Sequence, residues 1–491
     1  MLLLRTAAIR KLEAAYLPHT PLMERAGQAA ADYASELMNG RCGAILIIAG
    51  SGNNGGDAYV CARYLKTRGH SVLVASPAAT QTLPADAETA RNDWLAMGGE
   101  ISAQLPEIKH YALAIDGLFG IGLTRPILAP LADWVDMLNA LACPVLALDV
   151  PSGLDADSGA ILGCCVRATH TITFMAGKPG LYTLAGRDHA GTVRCANLDI
   201  DVSPAASGEG RLISSADFES ALQPRRHTSH KGSNGSAAII GGAPGMAGAA
   251  LLAGRAALHL GAGRVYLGML DALPVDAQQP ELMLREVEDA IAQATAIGIG
   301  PGLSQSDGAL TALRLAIKTD KALAIDADAL NLLAAHPALV THIARRTAPT
   351  VLTPHPSEAA RLLGISTQAV QSQRIPAALQ LAHRFNAVVV LKGSGSIVAL
   401  PDDETHKGRW YINGTGNPSL ATAGSGDVLL GMLTALLAQG NQAATALLAA
   451  VHLHGAAADA LVAAGSGPVG LSASELILPA RRLWNDWIQS Q

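Results

Sequence analysis

Aromatic side chains are scarce: Phe, Trp and Tyr make up 3% of 491 residues. A purine held by this chain must therefore rest on few rings or on aliphatic surface. Charged residues are also thin at 15%, with a formal net charge of −5. That leaves no basic field for nucleic acid, and no such partner is expected. The six cysteines (Cys42, Cys61, Cys143, Cys164, Cys165, Cys195) show no C-x-x-C spacing. This argues against a zinc site or a disulfide frame and fits reduced thiols in a cytoplasmic protein. Uninterrupted apolar runs of membrane-spanning length are missing as well. Residues 443–464 carry His452, His454 and Asp459, and residues 239–263 are broken by Pro244 and several glycines. No membrane association is expected. Leu2-Leu3-Leu4 ends at Arg5, too short for a signal peptide.

Hydrophobic residues, by contrast, reach 49%, and the length allows two or three domains with large cores. Short continuous apolar runs recur at 44–49, 71–76, 112–115 and 145–150. They recur again at 237–240, 264–267, 294–299, 322–325, 350–352 and 388–391. Helix-length segments separate them, which predicts α/β architecture with parallel sheets covered on both faces. Residues 203–212, rich in Ser, Pro, Ala and Gly, read as a short linker between two such domains.

The most informative stretch is Asn413-Gly-Thr-Gly-Asn-Pro-Ser-Leu-Ala-Thr-Ala-Gly-Ser-Gly-Asp427, which leads into an apolar helical pattern. A glycine-rich turn before a helix presents unpaired backbone N–H groups, and the helix dipole adds positive potential there. Phosphate is the natural occupant. A carboxylate at that mouth repels phosphate unless it takes a proton from an attacking hydroxyl. A plain helix start with an ordinary first-turn acid is the competing reading.

The first half has its own glycine turn. Residues 44–49 run into Gly50-Ser-Gly-Asn-Asn-Gly-Gly-Asp57, where Gly50, Gly52 and Gly55 satisfy G-x-G-x-x-G. A redox Rossmann domain also needs an acid after its second strand, and here that strand ends Ala75-Ser76-Pro77. A dinucleotide-shaped ligand fits; hydride transfer does not. Asp116 and Asp149-Val-Pro-Ser152 follow two further strands, so with Asn54 they converge on one sheet edge. Such oxygen-rich groups suit a hard cation better than zinc. Lys178 can join the same edge. His452 and His454, two apart on a helix, face different sides and are not read as metal ligands. Trp484 and Trp487 are read as covering a core edge.

The first half resembles the NAD(P)H-hydrate epimerase family. The likeness rests on Leu22-Met-Glu-Arg-Ala-Gly27, the 50–57 turn, Leu118-Phe-Gly-Ile-Gly-Leu123, Leu148-Asp-Val-Pro-Ser-Gly-Leu154 and Phe174-Met-Ala-Gly-Lys178. The second half resembles the ADP-dependent NAD(P)H-hydrate dehydratases. It carries His230-Lys-Gly232, Gly241-Gly-Ala-Pro-Gly-Met-Ala-Gly-Ala249, Gly298-Ile-Gly-Pro-Gly302, Asp326-Ala-Asp-Ala-Leu-Asn331, Leu352-Thr-Pro-His-Pro-Ser-Glu358, Leu391-Lys-Gly-Ser-Gly-Ser396 and the 413–427 segment. Together these span nearly the whole chain. The resemblance implies an N-terminal Rossmann-like three-layer αβα sandwich (1–205) and a C-terminal ribokinase-like α/β domain (211–491). Three departures stand out: Ala58 where the family usually has glycine, Gly117 where alanine is more usual, and Ser419-Leu420 for Gly-Met.

The implied substrate is NADH or NADPH with water added across a ring double bond. Its C6 carries a hydroxyl beside nitrogen, so its configuration scrambles if that hydroxyl leaves and returns. The resemblance gives Asp149 as the proton-transfer group of the epimerase. Asn53, Asn54, Gly55, Gly56, Asp57, Gly120, Ile121, Gly122, Leu123, Thr124, Arg125 and Pro126 hold the ligand. Asn54, Asp116 and Ser152 bind potassium, and Lys178 acts in catalysis or on phosphate. For the dehydratase, Asp427 deprotonates the C6 hydroxyl and backbone N–H groups of 423–426 steady the transferred phosphoryl. Lys392, Gly393, Ser394, Gly395, Ser396 and Gly426 grip ADP, with magnesium, and Gly302 and His355 bind the hydrate. Glu358 either orients magnesium through water or is a first-turn acid of its helix. A homo-oligomer is expected. The rival reading is a ribokinase-type kinase for a small vitamin-precursor alcohol, with a non-catalytic nucleotide-binding module in front.

Overall fold

The computed structural model describes residues 1–17, 19–107, 110–271, 273–402 and 408–490. The chain separates into two compact units, Met1–Arg211 and Leu212–Gln491. Segment 203–212 is ordered rather than slack. It holds a 3-10 turn at Ser203–Ala205 and the start of strand Gly210–Leu212, whose Gly210 and Arg211 pair antiparallel with Leu3 and Leu2.

In the first unit a parallel sheet runs in the order Ile101–Ser102, Val72–Ala75, Ile45–Ala49, Leu113–Gly117, Val145–Leu148, His170–Phe174, Thr192–Ala196. Strand Ile45–Ala49 is buried at every position because helices cover both faces. Ile45, Ile47 and Ala49 face the core shared with helices Leu22–Leu37 and Asn53–Thr67. Leu46 and Ile48 face the core shared with helix Leu131–Ala140. This is a three-layer sandwich. Strand order reverses between Ile45–Ala49 and Leu113–Gly117, and the crevice beyond such a switch point is where open α/β sheets bind ligands.

The two alanine–glycine departures occupy one contact. A Cβ built on Gly117 would lie 2.6 Å from the Ala58 Cβ. One methyl fits between helix Asn53–Thr67 and strand Leu113–Gly117, and it sits on the helix side in this chain. Gly117→Ala alone is expected to cost about 1–3 kcal/mol through overpacking. Adding Ala58→Gly should recover most of that loss, a coupling that urea melts of all four combinations measure.

The second unit, among its described residues, runs Trp410–Ile412, Ile397–Ala399, Val388–Leu391, Thr350–Leu352, Ala322–Ile325, Ala296–Ile299, Ser236–Gly241, Arg264–Met269, Met283–Arg285. Strands from Val388–Leu391 to Met283–Arg285 are parallel, and the other two add an antiparallel edge. Helix Ser425–Ala438 is buried at every position from Val428 onward, as its all-round apolar sequence requires. Helix Ala443–Ala463 is long and apolar enough to cross a membrane, but 61% of its apolar window is buried in the protein. Its side chains belong to the same core as Ala250, Leu430 and Trp484. Trp484 and Trp487 do cover a core edge, where Trp487 joins Phe218 and His452 with ring centroids 5.5–5.8 Å apart.

Candidate active sites of the two units

At the first unit's switch point lies a cavity of about 380 Å³. Asn53, Asn54, Asp57, Gly120, Ile121, Gly122, Leu123, Asp149 and Lys178 line it. Asn53 to Asp57 form the first turn of a helix rather than a loop. Gly55 and Gly56 turn away from the cavity: a Cβ on Gly55 would lie 2.1 Å from the Gly50 oxygen, and one on Gly56 2.5 Å from Met23 Sδ. Both positions require glycine for close packing. Thr124, Arg125 and Pro126 are exposed beyond the cavity wall.

Asp149 directly follows strand Val145–Leu148 and takes a left-handed backbone, φ 65°. Asp tolerates that region better than most residues, at a cost that tends to mark functional positions. The conformation carries its carboxylate over the cavity. Oδ1 lies 2.5 Å from Lys178 Nζ, and Oδ2 accepts from the Ile121 N–H at 3.4 Å. Lys178 is 1% exposed and donates also to the Phe174 carbonyl at 2.7 Å. A buried ammonium paired this way is committed to Asp149. Burial, then Asp149 and Glu13, hold the Asp57 carboxyl well above its ordinary value.

Asp116 and Ser152 sit beneath, fully buried. Ser152 donates from Oγ to Asp116 Oδ1 at 2.6 Å and from its backbone N–H to Oδ2 at 2.8 Å. Burial nevertheless pushes Asp116 up to about 6. Asn54 is buried, and among the described residues neither of its amide atoms is hydrogen-bonded. A buried unpartnered amide is costly, so its carbonyl oxygen is suited to a cation ligand. Its Oδ1 lies 3.3 Å from where a Gly120 Cβ would sit, and Asp149 Oδ2 lies 3.2 Å from the same point. Uncharged oxygens beside one carboxylate fit the monovalent potassium that the resemblance implies.

In the second unit the parallel strands deliver their loops to one edge. Asp427 stands in the first turn of helix Ser425–Ala438, whose N-cap Gly424 has φ 87°. Burial, then Asp326, push its carboxyl up to about 7, while Lys392 pulls the other way. Lys392 Nζ donates to Asp326 Oδ1 at 2.7 Å. Burial opposes its charge, but Asp326 and Glu358 outweigh burial and hold the ammonium above its usual range. A Cβ on Gly426 would fall 3.4 Å from Lys392 Nζ and 3.7 Å from Asp326 Oδ2. Thus Asp326, Lys392, Gly426 and Asp427 converge. Asp326 carries no role in the sequence reading, although its place after strand Ala322–Ile325 matches that of Asp149 after its own.

His355 caps helix Pro356–Leu363. Its Nδ1 accepts from the Ser357 N–H, and Glu358 Oε2 accepts from the His355 N–H at 2.8 Å. Glu358 Oε1 lies 3.1 Å from His355 Nε2. Glu358 is therefore a capping-box acid as well as a neighbour of Lys392. Gly302, φ 56°, abuts Met246, where a Cβ would lie 2.7 Å from the carbonyl oxygen. The 413–417 segment is tied to helix Ala443–Ala463: Thr415 Oγ1 donates to the His452 carbonyl, and Asp459 accepts from the Gly416 N–H and Asn417 Nδ2. His454 in that helix is driven by burial down to about 4 and stays neutral behind the site.

Arg374 has no sequence signal. It is 3% exposed, and its Nη2 donates to the carbonyls of Leu391, Lys392 and Gly395, each at 3.3 Å. It holds the turn 392–396 from below, where Gly393 takes φ 136°. Arg374→Met leaves those carbonyls short of a donor, at about 1–3 kcal/mol each. The KM for nucleotide is expected to rise about tenfold or more, and Arg374→Lys to recover little, since one ammonium cannot bond these carbonyls and also replace the Nη1 donor to Gln371 Oε1 at 2.8 Å. Steady-state kinetics with nucleotide varied check both.

Comparison with known proteins adds to this geometry. Residues 237–477 match the family described as NAD(P)H-hydrate dehydratase, and residues 19–180 match the YjeF-related protein N-terminus. The bifunctional NAD(P)H-hydrate repair enzyme of Escherichia coli K12 is 40% identical, over 90% of this chain and 85% of its own. That of Moorella thermoacetica is 35% identical, over 90% and 88%. Among solved structures, a Bacillus subtilis ADP/ATP-dependent NAD(P)H-hydrate dehydratase co-crystallised with ATP and magnesium is 31% identical. It covers 56% of this chain and 98% of its own, with a TM-score of 0.49.

Proposed function

The chain belongs to the bifunctional NAD(P)H-hydrate repair enzymes, and on that premise we propose how its residues divide the work. The protein returns hydrated NADH and NADPH to the reduced coenzymes. The first unit interconverts the R and S hydrates at C6, and the second dehydrates the S hydrate at the expense of ADP.

In the second unit Asp427 takes the proton of the C6 hydroxyl as that oxygen attacks the β-phosphorus of ADP, and AMP departs. Backbone N–H groups of 423–426 stabilise the charge on the phosphoryl oxygens. Lys392, its turn through Ser394, Gly395 and Ser396, and Gly426 hold the nucleotide, while Gly302 and His355 position the hydrate. The nitrogen lone pair then expels phosphate to give N1=C6, and loss of the C5 proton to the departing phosphate restores the dihydropyridine. Magnesium suits the hard oxygens of Asp326, and bound with ADP it would supply charge neutralisation. The observation that carries this reading is the meeting of Asp427, Lys392 and Gly426 at one helix start.

In the first unit Asp149 exchanges the proton at the C6 oxygen, with Lys178 fixing the position of its side chain. Asn54, Asp116 and Ser152 hold potassium, which when bound fixes the loops 50–57 and 116–123 relative to one another. A cytoplasmic location is supported by the six free thiols.

The test supplies chemically hydrated NADH with magnesium and either ADP or ATP. Full recovery of the reduced-nicotinamide absorbance with AMP formation is expected with ADP. Recovery of one epimer alone would remove the first unit's activity. No recovery with either nucleotide would restore the vitamin-precursor kinase.

A further inference from the structure

The epimerase cavity contains a carboxyl that the sequence reading and the proposed chemistry leave unused. Glu13 comes from helix Thr6–Tyr16 and, with Arg10 on the same helical face, forms a wall of the cavity that Asp149 and Lys178 reach from the sheet edge. Among the described residues the Glu13 carboxyl makes no hydrogen bond or ion pair, although the residue is half-buried. Burial, then Asp149, hold it above the ordinary carboxylate range, with Lys178 and Arg10 opposing. Asp57 feels it in turn. Arg10, Glu13, Asp57, Asp86, Asp149 and Lys178 are the ionisable groups lining this cavity.

Inversion at C6 makes a demand that one carboxylate does not meet. The hydroxyl leaves from one face of the ring and water returns on the other, so protons must be handled on two sides. We propose that Glu13 is the second proton-transfer residue of the first unit, serving the ring face opposite that served by Asp149. The proposal rests on the epimerase reading of this cavity. In one direction the Glu13 carboxyl gives its proton to the C6 hydroxyl. The C6–O bond breaks, water departs, and the ring nitrogen lone pair forms N1=C6. Water then adds to the other face of C6, the π electrons return to nitrogen, and Asp149 accepts the proton released. Glu13 and Asp149 exchange protons with solvent, which resets the site; the reverse direction exchanges their roles. No oxidant or further reactant enters.

The experiment follows interconversion of purified R and S hydrate of NADH by chromatography, using the full-length chain. Glu13→Gln is expected to lower kcat for epimerisation about 100-fold or more with KM within about threefold, the scale of a lost acid–base group. Glu13→Asp should restore part of it. Dehydration of S hydrate with ADP, assayed in the same preparation, should be unchanged and reports on the second unit, while an unchanged far-UV circular dichroism spectrum and urea midpoint report on the first. An unchanged kcat in Glu13→Gln, or a rise in KM with kcat intact, overturns the proposal. Asp149→Asn, assayed alongside, separates the two failures. If only Asp149→Asn loses epimerisation, Glu13 is wrong and the cavity reading stands; if neither does, the cavity is not the epimerase site.

Discussion

Asp427→Asn lowers the kcat for ADP-dependent dehydration about 10³-fold, with ADP affinity nearly unchanged. The amide keeps the shape of the side chain but cannot accept the hydroxyl proton, and acid–base groups contribute about 10² to 10⁴. The pH profile carries the same signature. Burial and then Asp326 push this carboxyl up to about 7, and only its ionised form is a base. Turnover should therefore fall about tenfold per unit as pH drops below about 7 and level off above it. Lys392→Met removes the cation that favours ionisation, so the limb should move to higher pH. Stability moves the opposite way. A carboxyl whose folded value is raised contributes stability that is complete below its ordinary value near 4 and is lost as pH rises through about 7. Asp427→Asn escapes that loss, so its Tm should exceed the native one at about pH 8 and match it near pH 4. Calorimetry at the two pH values decides this. A native-like kcat in Asp427→Asn would remove the proposed base.

Asp149→Asn abolishes epimerisation while S-hydrate dehydration continues. It also strands Lys178, an ammonium 1% exposed and 2.5 Å from the lost carboxylate. Removing one partner of a buried ion pair costs about 3–5 kcal/mol, because the other charge stays buried and unpaired. Asp149→Asn should therefore unfold at lower denaturant. Asp149→Asn with Lys178→Met should be the more stable of the two variants and equally inactive. Stability and catalysis separate in that comparison: a double variant that regained epimerisation would show Asp149 to be structural only. A double-mutant cycle on urea midpoints gives the coupling energy.

Much of the frame was legible because burial on both faces leaves an unmistakable mark. Strands such as Ile45–Ala49 and Val388–Leu391 are continuous apolar runs, and the reading placed them within a residue or two. The strands it did not propose lie toward sheet margins or mix polar residues into the run. His170–Phe174 alternates threonine with apolar residues, Thr192–Ala196 is largely accessible, and Ile397–Ala399 and Trp410–Ile412 are three residues each. Asp427 was legible because its glycines and its helix are adjacent in sequence. Arg374 and Glu13 were not, since each acts on a loop or cavity whose other members lie far along the chain. The glycines at 55 and 56 read as ligand contacts, and the structure adds that their missing side chains make room for Gly50 and Met23. Glu358 reads either way from spacing alone, and its two bonds to His355 favour the cap.

The methyl shared between positions 58 and 117 also constrains how this chain could have arisen from a relative with the usual arrangement. Two alanines would collide, but two glycines leave only a void worth about 1 kcal/mol. Loss before gain is the less costly order, since alanine at both 58 and 117 costs about 1–3 kcal/mol through overpacking.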